Sequence, residues 1–206
     1  TGGKLSVLNK GGILSEVRDT GVGNSNGIKI DAGELEIANR SSIQTTTKQA
    51  KLVKDKGNAG NIDIKTKGNL TISGTENPTF LQERAGVALS SINSSTEGQG
   101  DAGKITIDTA GKLSVLNRGG IFSAIDATGV GNSNGIKIDA GELDIANQSS
   151  IQTPTSQAKL VKDKGNAGDI TISTNGNLTI IGTNNSSDSG VSGINSSSVG
   201  AGDAGK

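Results

Sequence analysis

Along the chain, short stretches in which every second residue is apolar alternate with polar stretches rich in Gly, Ser and Asn. A spacing of two is the strand period, because successive side chains of a strand point to opposite faces. The recurring pattern is I-x-I, a glycine, G-x-L-x-[IV]-x-[NG], and then [GS]-[IV]. It fits Ile28, Ile30, Leu35, Ile37 and Ile43, and returns as Ile62, Ile64, Leu70, Ile72 and Val87. Ile105, Ile107, Leu113, Val115 and Ile121 make a third set, and Ile136, Ile138, Leu143, Ile145 and Ile151 a fourth. Ile170, Ile172, Leu178, Ile180 and Val191 follow, and a partial set of Leu5, Val7 and Ile13 precedes them all. No window carries a helical period.

A longer period contains this one. GKLSVLNKGGILS at 3–15 recurs as GKLSVLNRGGIFS at 111–123, and KLVKDKGNAG at 51–60 recurs at 159–168. The chain is thus two copies of a three-repeat block, 1–108 and 109–206, with no second domain. Three short strands joined by glycine turns cannot bury an apolar face alone, but stacked repeats can. The expected fold is all-β: a right-handed parallel β-helix of about six rungs with loops of variable length, its hand set by the preference of parallel crossovers. At the interstrand spacing of about 4.8 Å the stack is roughly 30 Å long.

The residue after the second strand is Asn9, Asn39, Gly74, Asn117, Asn147 or Gly182. Asn and Gly accept a left-handed backbone, so a φ > 0 turn is expected at all six, with an Asn ladder interrupted at every third rung. Outward residues should pair across rungs, Lys4 over Glu34 and Lys112 over Glu142.

Composition narrows the core and the partners. Leu, Ile, Val and Phe total 47 of 206 residues, near the level at which chains stay disordered, so almost every apolar side chain must be used. With two Phe and no Trp, Tyr or Met, the core must be aliphatic. Twenty basic residues balance twenty acidic ones, which leaves no basic field for nucleic acid. Zero Cys excludes disulfides and thiol chemistry.

Parallel β-helices often carry polysaccharide lyases and hydrolases, which need a unique cluster of carboxylates or a placed base. Here His is absent, and Asp31, Asp108 and Asp139 recur at one repeat position, which reads as scaffold, with Asp in turn hydrogen bonding. No catalytic residue, cofactor or metal ligand is assigned. The GNAG and GDAG segments at 57–60, 100–103, 165–168 and 202–205 carry one acid at most, too few for calcium, and read as glycine turns into the next rung. Thr45–Thr47 and Thr153/Thr155 are too short a rank for ice binding, and no P-loop is present. Two features could meet a partner: the loop AKLVKDKGN at 50–58 and 158–166, and the insertion TENPTFLQERAG at 75–86, whose Phe80 and Arg84 are the candidate contact residues.

GNAGNIDIKTKGNLTISG at 57–74, GNAGDITISTNGNLTIIG at 165–182 and the GKLSVLN-x-GGI-x-S segments resemble the stem repeats of filamentous haemagglutinin-like exoproteins, most of all large cyanobacterial members of the two-partner secretion class. The resemblance covers essentially the whole chain. It implies a β-helix fibre exported through an outer-membrane transporter to the cell surface or the medium, with an adhesion-type role toward surface or extracellular polysaccharide. On this reading the chain is a non-catalytic stem. The alternatives are a carbohydrate- or surface-binding module using a lateral loop, and a β-helix lyase. Rungs left bare at either end should associate end to end.

Overall fold

The computed structural model describes residues 2–18, 21, 23–48, 57–75, 89–126, 129–156, 165–182, 191–199 and 202–206. Every regular element in them is a strand, as the period-two pattern requires. The first repeat supplies β1 (Lys4–Leu8) and β2 (Gly12–Val17); the second supplies β3 (Ile28–Ala32), β4 (Glu34–Ala38) and β5 (Ser42–Thr47). The third adds β6 (Ile62–Thr66), β7 (Leu70–Ser73) and β8 (Ser90–Thr96), and the fourth β9 (Ile105–Leu116) and β10 (Gly119–Ile125). β11 (Ile136–Ala146), β12 (Ser150–Gln152) and β13 (Thr155–Ser156) form the fifth. β14 (Ile170–Thr174), β15 (Leu178–Ile181), β16 (Gly193–Asn195) and β17 (Ser198–Val199) form the sixth.

These strands make two sheets in which every pairing is parallel, and each strand lies against its counterpart in the neighbouring repeat. Identical side chains therefore stack. Ile28, Ile62, Ile105, Ile136 and Ile170 are in register, as are Ile30, Ile64, Ile107, Ile138 and Ile172. Leu35, Leu70, Leu113 and Leu143 form another column. The second sheet adds Ile13, Ile43, Ile92, Ile121, Ile151 and Ile194. The columns merge into one core, in which Ile37, Ile43, Ile62, Leu70, Ile72 and Ile107 are wholly buried. Each such side chain contributes about 1.5–3 kcal/mol against exposure, which lets a chain with so few large apolar residues fold.

Two expected strand positions are corrected. The third strand of the third repeat centres on Ile92, not Val87, and that of the sixth on Ile194, with Val191 83% exposed. Val87 itself lies outside the described residues. Both true positions carry S-x-I-N-S-S, at 90–95 and 192–197, whose fifth residue, Ser94 or Ser196, bonds a glycine carbonyl of the glycine segments. Nor are all strands short: β9 and β11 run unbroken through Gly111 and Gly141, with a register irregularity between Ala140 and Glu142.

The core is not purely aliphatic. On the second sheet the residue two beyond each Ile is Ser or Thr, and it faces the glycine segments. Thr45 donates to the Gly60 carbonyl at 2.5 Å, Ser123 to Gly103 at 2.9 Å and Thr153 to Gly168 at 2.5 Å. Thr47 and Thr96 bond each other at 2.8 Å, and Thr66 and Thr109 at 2.7 Å. These buried hydroxyls are tolerable because they bond a carbonyl or another hydroxyl, whereas Ser41 Oγ and Thr46 Oγ1 are buried without a partner.

Candidate functional site

The corner after β1, β4, β9 and β11 is left-handed at two successive residues. Asn9, Asn39, Asn117 and Asn147 have φ of 56°, 57°, 53° and 56°, and the next residue in each case is also positive. Asn39 Nδ2 donates to Asn9 Oδ1 at 3.2 Å and Asn147 Nδ2 to Asn117 Oδ1 at 2.8 Å, whereas Asn117 Nδ2 turns to Ser73 Oγ at 3.3 Å. Gly74 and Gly182 depart from the expectation: neither has positive φ. At the Asn corners the next strand resumes within three residues; after Ser73 and Ile181 the next described strands are β8 and β16, and residues 76–88 and 183–190 between them lie outside the described residues.

The glycine segments stack as a third wall, and their Asn and Asp residues do the stacking. Asn58 N–H donates to Asn24 Oδ1 (2.9 Å), Asp101 N–H to Asn58 Oδ1 (2.9 Å) and Asn132 N–H to Asp101 Oδ1 (2.8 Å). Asn166 N–H donates to Asn132 Oδ1 (3.0 Å) and Asp203 N–H to Asn166 Oδ1 (2.9 Å). One side-chain oxygen of each of Asn24, Asn58, Asp101, Asn132 and Asn166 thus accepts a backbone N–H of a neighbouring repeat. Among the described residues no three acidic side chains come together as a metal site.

Charges face outward on the first sheet. Lys4 stands opposite Glu34 in register, and Lys112 opposite Glu142, yet the ion pairs form one step along the diagonal. Lys4 Nζ lies 2.6 Å from Glu36 and Lys112 bonds Asp144. A long ammonium stem reaches the next outward position more easily than the one directly beside it. Asp31, Asp108 and Asp139 sit inside strands β3, β9 and β11, where Asp108 pairs with Lys65 at 3.2 Å and Asp139 with Lys137 at 2.8 Å. All three are strand residues rather than turn residues, and Asp108 and Asp139 form ion pairs.

These pairs fix the pH behaviour. Hydrogen-bonded carboxylates raise the pKa of Lys4, Lys48, Lys112 and Lys137 above the ordinary 10.5, and Lys137 holds Asp139 below 3.8. A raised lysine adds stability below 10.5 that is lost as pH climbs through its folded value; a lowered aspartate adds stability above 3.8 that is lost as pH falls. Asp126 acts oppositely: burial and then Glu97 raise its pKa, so its ionisation opposes folding once pH passes 3.8. With no His or Cys, no side-chain step is expected near neutrality; the unfolding temperature should fall as pH climbs above 10.5, where the lysine pairs are lost, and as pH drops below 3.8, where the Asp139 pair is lost. A step near neutrality in thermal unfolding would contradict this assignment of charges.

The outward face of the second sheet is different in kind. Gln44, Asn93, Phe122 and Gln152 form one outward column, all half-buried. Phe122 lies over Gly120, where a Cβ would collide with the ring; the neighbouring repeats have Ser91 and Ser150 at that place. The Asn93 amide oxygen beside it has no hydrogen-bond partner. A flat ring beside the Gln152 amide can stack on an apolar sugar face while that amide meets a hydroxyl. Sequence reasoning passed over Phe122 for Phe80 and Arg84, which lie outside the described residues.

No family model, curated protein or solved structure matches the chain.

Proposed function

We propose that the chain is a right-handed parallel β-helix stem, a non-catalytic spacer in a secreted or surface-displayed adhesin-like fibre of the filamentous haemagglutinin type. One observation carries the reading: the same side chains recur in register from repeat to repeat, in the apolar columns, the Asn/Asp ladder and the outward ion pairs. A surface built from a repeat offers many equal positions and no privileged one, which suits length and stiffness better than catalysis. The sequence resemblance supplies the extracellular setting, export through an outer-membrane transporter, and surface polysaccharide as a neighbour.

Phe122 favours a second reading, a carbohydrate-binding face on the side of the stem, because it breaks the repeat where Gly120 makes room for its ring. The test is binding of the 206-residue chain to a glycan and cell-surface panel, beside Phe122→Ala and a Phe80→Ala, Arg84→Ala variant. A stem gives no glycan-specific signal. Binding lost in Phe122→Ala establishes the lateral face, and binding lost only in the double variant moves the site to the insertion.

A further inference from the structure

We propose that Asn134–Gly135 is a self-modification site, at which Asn134 converts through a cyclic imide to aspartate and isoaspartate. The same dipeptide at Asn175–Gly176 is held intact by the stack. What separates the two is the group that the preceding repeat places beneath each glycine.

Asn134 and Gly135 lead into β11. In equivalent corners the N–H just ahead of the first-sheet position is served by a side chain of the preceding repeat. Lys104 N–H donates to Asn61 Oδ1 at 2.9 Å and Lys206 N–H to Asp169 Oδ1 at 2.8 Å. Gly135 stands one place before Ile136, which is in register with Ile105, so the residue beneath it is Lys104. An ammonium offers donors and no acceptor. Gly135 N–H is left with Ser133 Oγ of its own segment at 3.4 Å, too long for an effective bond. That hydroxyl already donates to the Ser123 carbonyl at 2.6 Å. At the other site Gly176 N–H donates to Gly141 O at 2.7 Å, and Asn175 N–H to Ala140 O at 3.2 Å. An amide so held reacts only after local opening frees it. Both asparagines are exposed, so access to water does not distinguish them.

Imide closure needs the amide nitrogen of the following residue to reach the asparagine Cγ. Glycine admits it best because it has no Cβ, and Gly135 takes a φ of 84° that other residues rarely adopt. The Gly135 nitrogen bonds Asn134 Cγ and the Cγ–Nδ2 bond breaks. Nδ2 leaves as ammonia, carrying the proton that Gly135 gives up. Water then opens the ring. Cleavage between Cγ and the Gly135 nitrogen gives aspartate; cleavage at the main-chain carbonyl gives isoaspartate, whose backbone is one methylene longer. Asn134 lines a cleft with Lys104, Lys137 and Asp169, in which the two lysines favour the acidic product. The extra methylene falls between Ser133, whose N–H donates to Asn166 O at 3.0 Å, and Ile136, whose N–H donates to Asp169 O at 2.9 Å. Those two bonds span a fixed length of backbone, so isoaspartate loosens the fifth repeat from the sixth.

Peptide mass spectrometry of the 206-residue chain reads the conversion, after incubation at mildly alkaline pH both native and in denaturant, with fragmentation locating each changed asparagine. In denaturant the two pairs should convert at similar rates. In the native protein Asn134 should convert at least about tenfold faster than Asn175, by the cost of opening the Gly176 bond. Lys104 is exposed, so it can be replaced without disturbing the core. Lys104→Asn puts beneath Gly135 the amide oxygen that Asn61 puts beneath Lys104, and should slow Asn134 by a similar factor. Lys104→Ala removes the same charge without supplying an acceptor, and should convert as the wild type does. Equal native rates at the two sites, or an Asn134 that survives native incubation, overturn the proposal. So does any outcome in which the two Lys104 variants behave alike, because the unserved N–H would then not be the cause.

Discussion

Ile107→Asp should abolish cooperative folding of the repeats around it. Ile107 is wholly buried in β9 between Ile64 and Ile138, with apolar columns on either side. An aspartate there meets no cation and no donor, and a carboxylate stripped of water without a partner costs far more than a lost methyl group. The effect belongs with the largest single substitutions, above about 4–5 kcal/mol, against a total stability of about 5–15 kcal/mol for an ordinary domain. Ile107→Val, which removes one methylene without adding charge, should cost about 1 kcal/mol. Denaturant titration separates the two. An Ile107→Asp chain that keeps the wild-type midpoint would show that this column is not the core.

The second large effect is expected at a residue with no side chain. A Cβ on Gly103 would overlap the backbone carbonyl of Gly60 in the neighbouring repeat and stand 2.7 Å from Ser94 Oγ. Gly103 N–H also donates to that Ser94 hydroxyl at 2.8 Å, so the segment cannot move aside without losing the bond. Gly103→Ala should therefore destabilise by about 2–3 kcal/mol, as overpacking of a closed site does. Gly182→Ala is the contrast: nothing lies within 4 Å of its Cβ and its φ is not positive, so the change should be neutral or mildly stabilising. Equal unfolding temperatures for the two variants would mean that close approach of the glycine wall does not constrain the stack.

The difference between these glycines marks what local reading can reach. Gly74 and Gly182 occupy the place of Asn9 and Asn39 in the pattern, yet their backbone is not left-handed. A repeat position fixes which strand ends there, but not the turn geometry that follows. The same limit explains Val87 and Val191, chosen because each follows a glycine. Ile92 and Ile194 hold those places because the Ser residues behind them bond the glycine wall, as Ser94 does to Gly60 at 3.1 Å and Ser196 to Gly168 at 3.0 Å. Phe122 was passed over although its ring lies over Gly120, two residues before it, where a Cβ would collide with the ring.

The sequence by itself determined that the chain is all-β, which residues form the apolar columns of the first sheet, and that Lys4 faces Glu34 and Lys112 faces Glu142. Period-two alternation decides a strand's buried face locally, and a fixed repeat decides which residues align when strands pair in parallel. Only the tertiary structure decided where the ions pair, that Ser and Thr hydroxyls line part of the interior and bond glycine carbonyls, and that GNAG and GDAG form a ladder. Each of those rests on distances between residues about 15 to 50 apart in the chain, set when one repeat settles on the next.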